Sequence, residues 1–176
     1  MFFDNINLNM IEILRLGHRI NRDTRISSHV ALVARALNAD KLYYTGQKDS
    51  SMEKSVMDVV DRFGGSFNIE YIKNYKDILK NKKIIHLTVY GMPLKDKITE
   101  IKSYKDILII VGGEKVPGEI YNLADVNLSV GNQPHSEVAA LGIFLYELSN
   151  SKFSEFKDAN LRIIPMEKAK KIEKKT

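Results

Sequence analysis

Cysteine is missing from all 176 residues. A chain without thiols forms no disulfide, offers no thiolate to a metal and has no cysteine nucleophile, and a reducing compartment suits it. No apolar stretch approaches the roughly 20 residues that a membrane-spanning helix needs. The start, Met1-Phe2-Phe3-Asp4-Asn5, lacks the basic region and long apolar core of a signal peptide, so a soluble cytoplasmic protein is expected. Glycine-rich signatures are also lacking where they would matter most. No G-x-G-x-x-G follows the first strand, which argues against a dinucleotide fold, and no G-x-x-x-x-G-K-[ST] is present, which argues against a P-loop nucleotidase. His18, His29, His86 and His135 fall at spacings that match no zinc pattern, so no metal is expected. Ser136 lies in no G-x-S-x-G elbow, so a serine triad is poorly supported.

What is present alternates. Apolar runs at Met10–Leu16, Lys41–Tyr44, Phe67–Ile72, Lys83–Thr88, Ile107–Val111 and Val126–Val130 predict strands. Between them, helices are predicted from Ser27 or Ser28, from Ser50 or Ser51 to a stop at Gly64-Gly65, and near Tyr75–Lys80, Pro93–Ser103, Gly118–Leu123 and Pro134–Leu148. Apolar strands separated by helices mean an α/β domain, a parallel sheet with helices on both faces. At this length the chain suits one domain over residues 1–176, with a basic extension from about Phe153. The tail Glu167–Lys175 reads as a solvated helix or a frayed end.

Three strand ends open into loops that suit a ligand: His86–Pro93, Val111-Gly112-Gly113-Glu114-Lys115-Val116-Pro117-Gly118, and Val130-Gly131-Asn132-Gln133-Pro134-His135-Ser136-Glu137. Ligands of open α/β sheets bind at the carboxyl ends of strands, and glycine lets backbone groups approach them. One shared pocket is therefore expected. Net charge is only +5, but five of the seven arginines (Arg15, Arg19, Arg22, Arg25 and Arg35) fall in a 21-residue window. Guanidinium binds phosphate through a planar fork, whereas lysine acts as a point charge. A glycine-lined pocket beside an arginine segment suits transfer chemistry on a nucleic acid backbone, or a non-catalytic protein that binds one.

The segments Arg15-Leu16-Gly17-His18-Arg19, Arg22-Asp23-Thr24-Arg25-Ile26-Ser27-Ser28-His29-Val30-Ala31-Leu32-Val33-Ala34-Arg35-Ala36 and Ser129–Leu141, with the Val-Gly-Gly-Glu loop, strongly resemble the archaeal tRNA cytidine-56 2′-O-methyltransferases of the SPOUT class. The resemblance runs from about Met10 to Leu148. It implies S-adenosyl-L-methionine as cofactor, tRNA as substrate, a homodimer and a C-terminal trefoil knot, an exception to the rule that protein chains are unknotted. It further implies a cofactor site of Leu87, Gly112, Gly113, Glu114, Lys115, Val116, Val130, Gly131, Asn132, Gln133, Pro134, His135, Ser136 and Glu137. In the wider class an asparagine six residues before an arginine marks the essential arginine; that spacing points to His29 and Arg35, with histidine replacing asparagine. Arg35 is thus expected to be catalytic, binding the adjacent phosphate and stabilising developing alkoxide. Arg15, His18, Arg19, Arg22, Arg25 and His29 are expected to contact tRNA. A SPOUT enzyme with another RNA target stays open as an alternative.

Overall fold

A computed structural model describes residues 10–113, 116–153 and 155–175. Six strands form one parallel sheet in the order β3-β2-β1-β5-β4-β6: β1 (Ile11–His18), β2 (Lys41–Gly46), β3 (Asn68–Tyr71), β4 (Lys83–Pro93), β5 (Ile107–Val111) and β6 (Val126–Ser129). The central strands β1 and β5 are buried on both sides, and β5 is apolar throughout. Coverage is unequal. Ile13, Leu42, Ile85, Ile109 and Leu128 pack in one cluster with α1 (Ile20–Ala36), α2 (Ser50–Phe63), α3 (Leu94–Ile101) and α5 (Glu137–Leu148). Leu14, Leu16, Ile84, Leu108 and Ile110 pack on the other face, where among the described residues the covering helices are α4 (Glu119–Leu123), through Ile120, and a 3-10 turn at Tyr75–Ile78. The predicted helix at 75–80 is that turn.

The largest departure from expectation is α1, which begins at Ile20 and not near Ser27. Asp23 supplies the start signal, since its carboxylate accepts from the Arg19 backbone N–H and from the Arg19 guanidinium. A negative side chain in the first turn also complements the positive end of the helix dipole. The hydroxyls that resemble caps are satisfied inside the helix: Thr24 donates to the Ile20 carbonyl, Ser28 to the Thr24 carbonyl, and Ser27 pairs with His18. Helix α2 is capped by Asp49, one residue before the expected serine, its carboxylate accepting from Met52 N–H.

The end of β4 is irregular. Leu128 of β6 registers with both Leu87 and Met92, so residues 88–91 bulge around the end of β6. A Cβ on Gly91 would come within 2.5 Å of the Leu128 backbone, so only glycine permits this crossing. Asn132 fastens it from the next loop, donating to the carbonyls of Val89 (2.7 Å) and Gly91 (3.3 Å).

The tail is neither helical nor frayed. Strands β7 (Leu161–Ile164) and β8 (Lys171–Lys174) form an antiparallel hairpin, with Ile163 opposite Ile172. The segment before it docks on the body: the Asp158 carboxylate accepts from Gly65 N–H, Asn160 donates to the Asp61 carbonyl, and the Phe156 ring lies under the Arg35 guanidinium. Spaced polar contacts of this kind leave no periodic signal in sequence. No helix among the described residues is long and apolar enough to cross a membrane.

Candidate functional site

The three loops do converge. A cavity of about 510 Å³ opens at the carboxyl ends of β4 and β5, lined by His86, Leu87, Thr88, Val89, Tyr90, Val111, Gly112, Gly113, Val116 and Tyr121, and closed on the α5 side by His135, Glu137 and Ala140. That volume lies within the range of small-molecule sites. Leu87, Gly112, Gly113, Val116, His135 and Glu137 were expected there. Val130 is half-buried against the main core, and Asn132 holds the β4 crossing from the adjacent loop. Gly131, Gln133 and Pro134 belong to the same loop, and Ser136 caps α5 by accepting from Val138 N–H. Glu114 and Lys115 lie outside the described residues.

Arg15 lies behind Gly113, outside the cavity lining, which corrects its expected contact with tRNA. It is 1% exposed, and its guanidinium is engaged with Glu137 and Leu16 beneath the Gly113 backbone. Parallel pairing of β1 with β5 sets Arg15 beside Val111, and its guanidinium reaches the Glu137 carboxylate at 3.1 Å and the Leu16 carbonyl at 3.0 Å. A Cβ on Gly113 would stand 3.2 Å from that guanidinium, so the glycine loop lies flat on the arginine. Burial lowers the Arg15 pKa and the Glu137 charge opposes the shift, so the pair stays ionic.

His18 is also corrected. It is fully buried, with Nδ1 2.9 Å from Ser27 Oγ and Nε2 3.2 Å from Asp49 Oδ2. Serine, histidine and carboxylate in this order mimic a hydrolase triad, but Ser27 is fully buried and Asp49 nearly so, and no substrate could reach them. The group joins the end of β1 to the starts of α1 and α2. Desolvation pushes the Asp49 pKa up, yet hydrogen bonds from Met52 N–H, Thr24 and His18 outweigh it and hold the carboxyl below its usual range.

Arg35 does not join the cavity. Fifteen helical steps separate it from Ile20, roughly 22 Å along α1, so it lies toward the amino ends of the strands, away from the cavity. There Nε and Nη2 both donate to the Gly64 carbonyl, which terminates α2, and the guanidinium sits 4.5 Å from the Phe156 ring centre. Desolvation lowers its pKa, opposed by Asp158. Its neighbours explain its burial structurally, and in its own chain the expected catalytic role does not fit this position. The remaining expected contacts do cluster: Arg22, Arg25 and His29 are exposed at i, i+3 and i+7 on one face of α1, near the sheet edge that carries the cavity. Arg19, partly exposed, is engaged with Asp23 by both ends of its fork.

Sequence reasoning did not assign side-chain roles to His86, Thr88 and Tyr121. The His86 ring is 1% exposed, its Nδ1 lies 2.8 Å from Asn127 Oδ1, and its Nε2 has no partner among the described residues. Tyr121 stands edge-on to it at 4.8 Å and pairs through its hydroxyl with Thr88 Oγ1 at 3.1 Å. Among the described residues no group of three or more His, Asp or Glu side chains is arranged to hold a metal.

The parallel sheet with its strand-end loops is a fold shared with solved SpoU methyltransferases. The SpoU methyltransferase AviRb of Streptomyces viridochromogenes, solved with AdoMet, superposes with a TM-score of 0.61 at 15% identity, over 81% of this chain and 57% of that one. An A. aeolicus TrmH/SpoU tRNA modifying enzyme superposes with 0.56 at 17% identity, over 82% and 78%. The chain belongs to the tRNA ribose 2′-O-methyltransferase family aTrm56, whose family model matches residues 63–173. The tRNA (cytidine(56)-2′-O)-methyltransferase of Thermococcus kodakarensis is 51% identical over 93% of this chain and 96% of its own, and that of Methanocaldococcus jannaschii 49% over 92% and 94%.

Proposed function

We propose that this chain methylates the ribose 2′-oxygen of cytidine 56 in tRNA with S-adenosyl-L-methionine, working in the cytoplasm as a homodimer. The observation that carries the reading is the cavity at the ends of β4 and β5, in a chain about half identical to enzymes named for that reaction. The cavity fits the cofactor on its own chemistry. It offers flat backbone at Gly112 and Gly113, apolar walls at Val111 and Val116, a carboxylate at Glu137 for a cationic group, and an unsatisfied buried acceptor at His86 Nε2. When bound, the cofactor supplies an electrophilic methyl on a sulfonium sulfur.

The protein's share is alignment and exclusion of water. Glu137, held by Arg15, presents a carboxylate that cannot swing away, and Gly113 keeps the loop low enough for a ligand to lie against backbone. Arg22, Arg25 and His29 form the phosphate-binding stripe that brings the ribose to the same sheet edge. The dimer reading rests on α5, where Ala139, Ile143 and Tyr146 are exposed at i, i+4 and i+7 although the opposite face is core. The C-terminal trefoil knot belongs to the same proposal, supported by the β4 crossing and its clasp from Asn132.

Incubation with unmodified tRNA transcript and methyl-labelled S-adenosylmethionine, followed by nuclease digestion, tests the assignment. Label is expected in 2′-O-methylcytidine from the T loop. Label in another nucleotide moves the target, and tRNA binding without transfer leaves a non-catalytic binder.

A further inference from the structure

His86 is a buried histidine at the wall of the cavity, and among the described residues its Nε2 has no hydrogen-bond partner. Its tautomer follows from its neighbours. The Asn127 amide donates through Nδ2 to the Tyr121 carbonyl at 2.9 Å, which turns Oδ1 toward the histidine. Oδ1 only accepts, so Nδ1 carries the proton and Nε2 is left as a bare lone pair. Burial lowers the pKa of the ring, with the Asn127 bond opposing, so the neutral form is the one present at neutral pH. A buried acceptor without a donor is costly, and such atoms in native proteins call for an explanation.

We propose that His86 Nε2 is the acceptor for the exocyclic amine of the cofactor's adenine, and so a specificity-determining residue of the cofactor site. This rests on the functional reading above. S-adenosylmethionine carries three kinds of donor. Its ammonium is a cation, better matched by the Glu137 carboxylate than by a neutral imidazole. Its ribose hydroxyls sit on a puckered ring, whereas the neighbours of His86 in the cavity are Val116 and the Tyr121 ring, which suit a flat aromatic base. The adenine amine is flat, neutral and a donor. Because His86 is 1% exposed, the proposal requires the half-buried Tyr121 ring to turn aside on binding and give up its hydroxyl contact with Thr88.

Calorimetric titration with S-adenosylhomocysteine and with its analogue bearing purine in place of adenine tests this without any turnover. In the wild type, loss of the amine should weaken binding about tenfold, the worth of one buried hydrogen bond. In His86→Phe, S-adenosylhomocysteine should bind about tenfold more weakly and the penalty for the missing amine should vanish; His86→Gln, which keeps an acceptor, should recover part of both. An equal penalty in wild type and His86→Phe would overturn the assignment. Should the variants unfold, ring ¹⁵N resonances of the wild type decide: Nε2 must move upfield on saturation with S-adenosylhomocysteine, and an unmoved resonance sinks the proposal. A wild type that binds neither ligand contradicts the functional reading itself.

Discussion

A few charged residues in this molecule work inward. Arg15 and Glu137 make a largely buried ion pair, and removing one partner of such a pair strands the other. Arg15→Ala is expected to lower stability by about 3 kcal/mol and to weaken cofactor binding, while leaving the salt dependence of tRNA binding unchanged. Thermal melting and filter binding at several salt concentrations separate these effects, and a flattened salt slope would return Arg15 to the RNA surface. Asp49 and Asp23 set the acid limit. Both carboxyls are held below their usual range, Asp23 chiefly by its hydrogen bond from Arg19 and Asp49 by the bonds that outweigh its desolvation. Their contribution is therefore complete above the unfolded value of about 4 and is lost as pH falls through the folded value. A melting series from pH 7 to 3 should be flat at first and then fall below about pH 4. Asp49→Asn should melt lower than wild type at pH 7, and the gap should narrow toward pH 3.

At the scale of the element, α1 carries two jobs on its two ends. Its first turns present Arg22 and Arg25 to solvent, and its last turn inserts Arg35 between α2 and the tail. Single alanine substitutions at Arg22 and Arg25 should each reduce the salt slope of tRNA binding by about one unit without moving the melting temperature. Arg35→Lys tests the other end. Lysine cannot present two N–H donors as a planar fork to the Gly64 carbonyl, so the melting temperature should fall while cofactor affinity holds. A stable Arg35→Lys protein that binds cofactor and tRNA yet transfers no methyl would restore a catalytic Arg35. These two ends also show why α1 was misjudged in sequence. Ser27, Ser28 and Thr24 are good cap residues by type, but a hydroxyl inside a helix can bond back to the preceding turn, and only the surroundings say which occurs.

For the whole molecule the unequal cover of the sheet matters. Four helices lie on one face and one short helix with a 3-10 turn on the other, and α5 leaves Ile143 and Tyr146 uncovered. Burying that stripe against a second copy completes the cover. Ile143→Asp is expected to shift the protein from dimer to monomer in light scattering after size exclusion, and a dimer that survives the change would move the interface elsewhere. The cofactor should also stabilise the fold by mass action, raising unfolding free energy by about 2.7 kcal/mol at a hundred times its dissociation constant.

Much of this was legible in one dimension. Strand β5 appeared at its full length because a five-residue apolar run in a covered parallel sheet admits few other readings, and the three ligand loops appeared because glycine after a strand has a local cause. The C-terminal hairpin was not legible: its docking depends on Phe156, Asp158 and Asn160 meeting residues about a hundred positions away. Arginine clustering pointed to an anionic substrate, but not to which arginines would meet it. Pairing of β1 with β5 buried Arg15 under Gly113, and the length of α1 carried Arg35 away from the cavity. Local pattern determined the six strands of the sheet and the three loops, since those depend on neighbours along the chain, and longer motifs carried the resemblance to the family. Which charged side chain faces solvent, a carboxylate or a cavity was decided only by the tertiary structure, because burial is set by strands and helices that meet from distant parts of the chain.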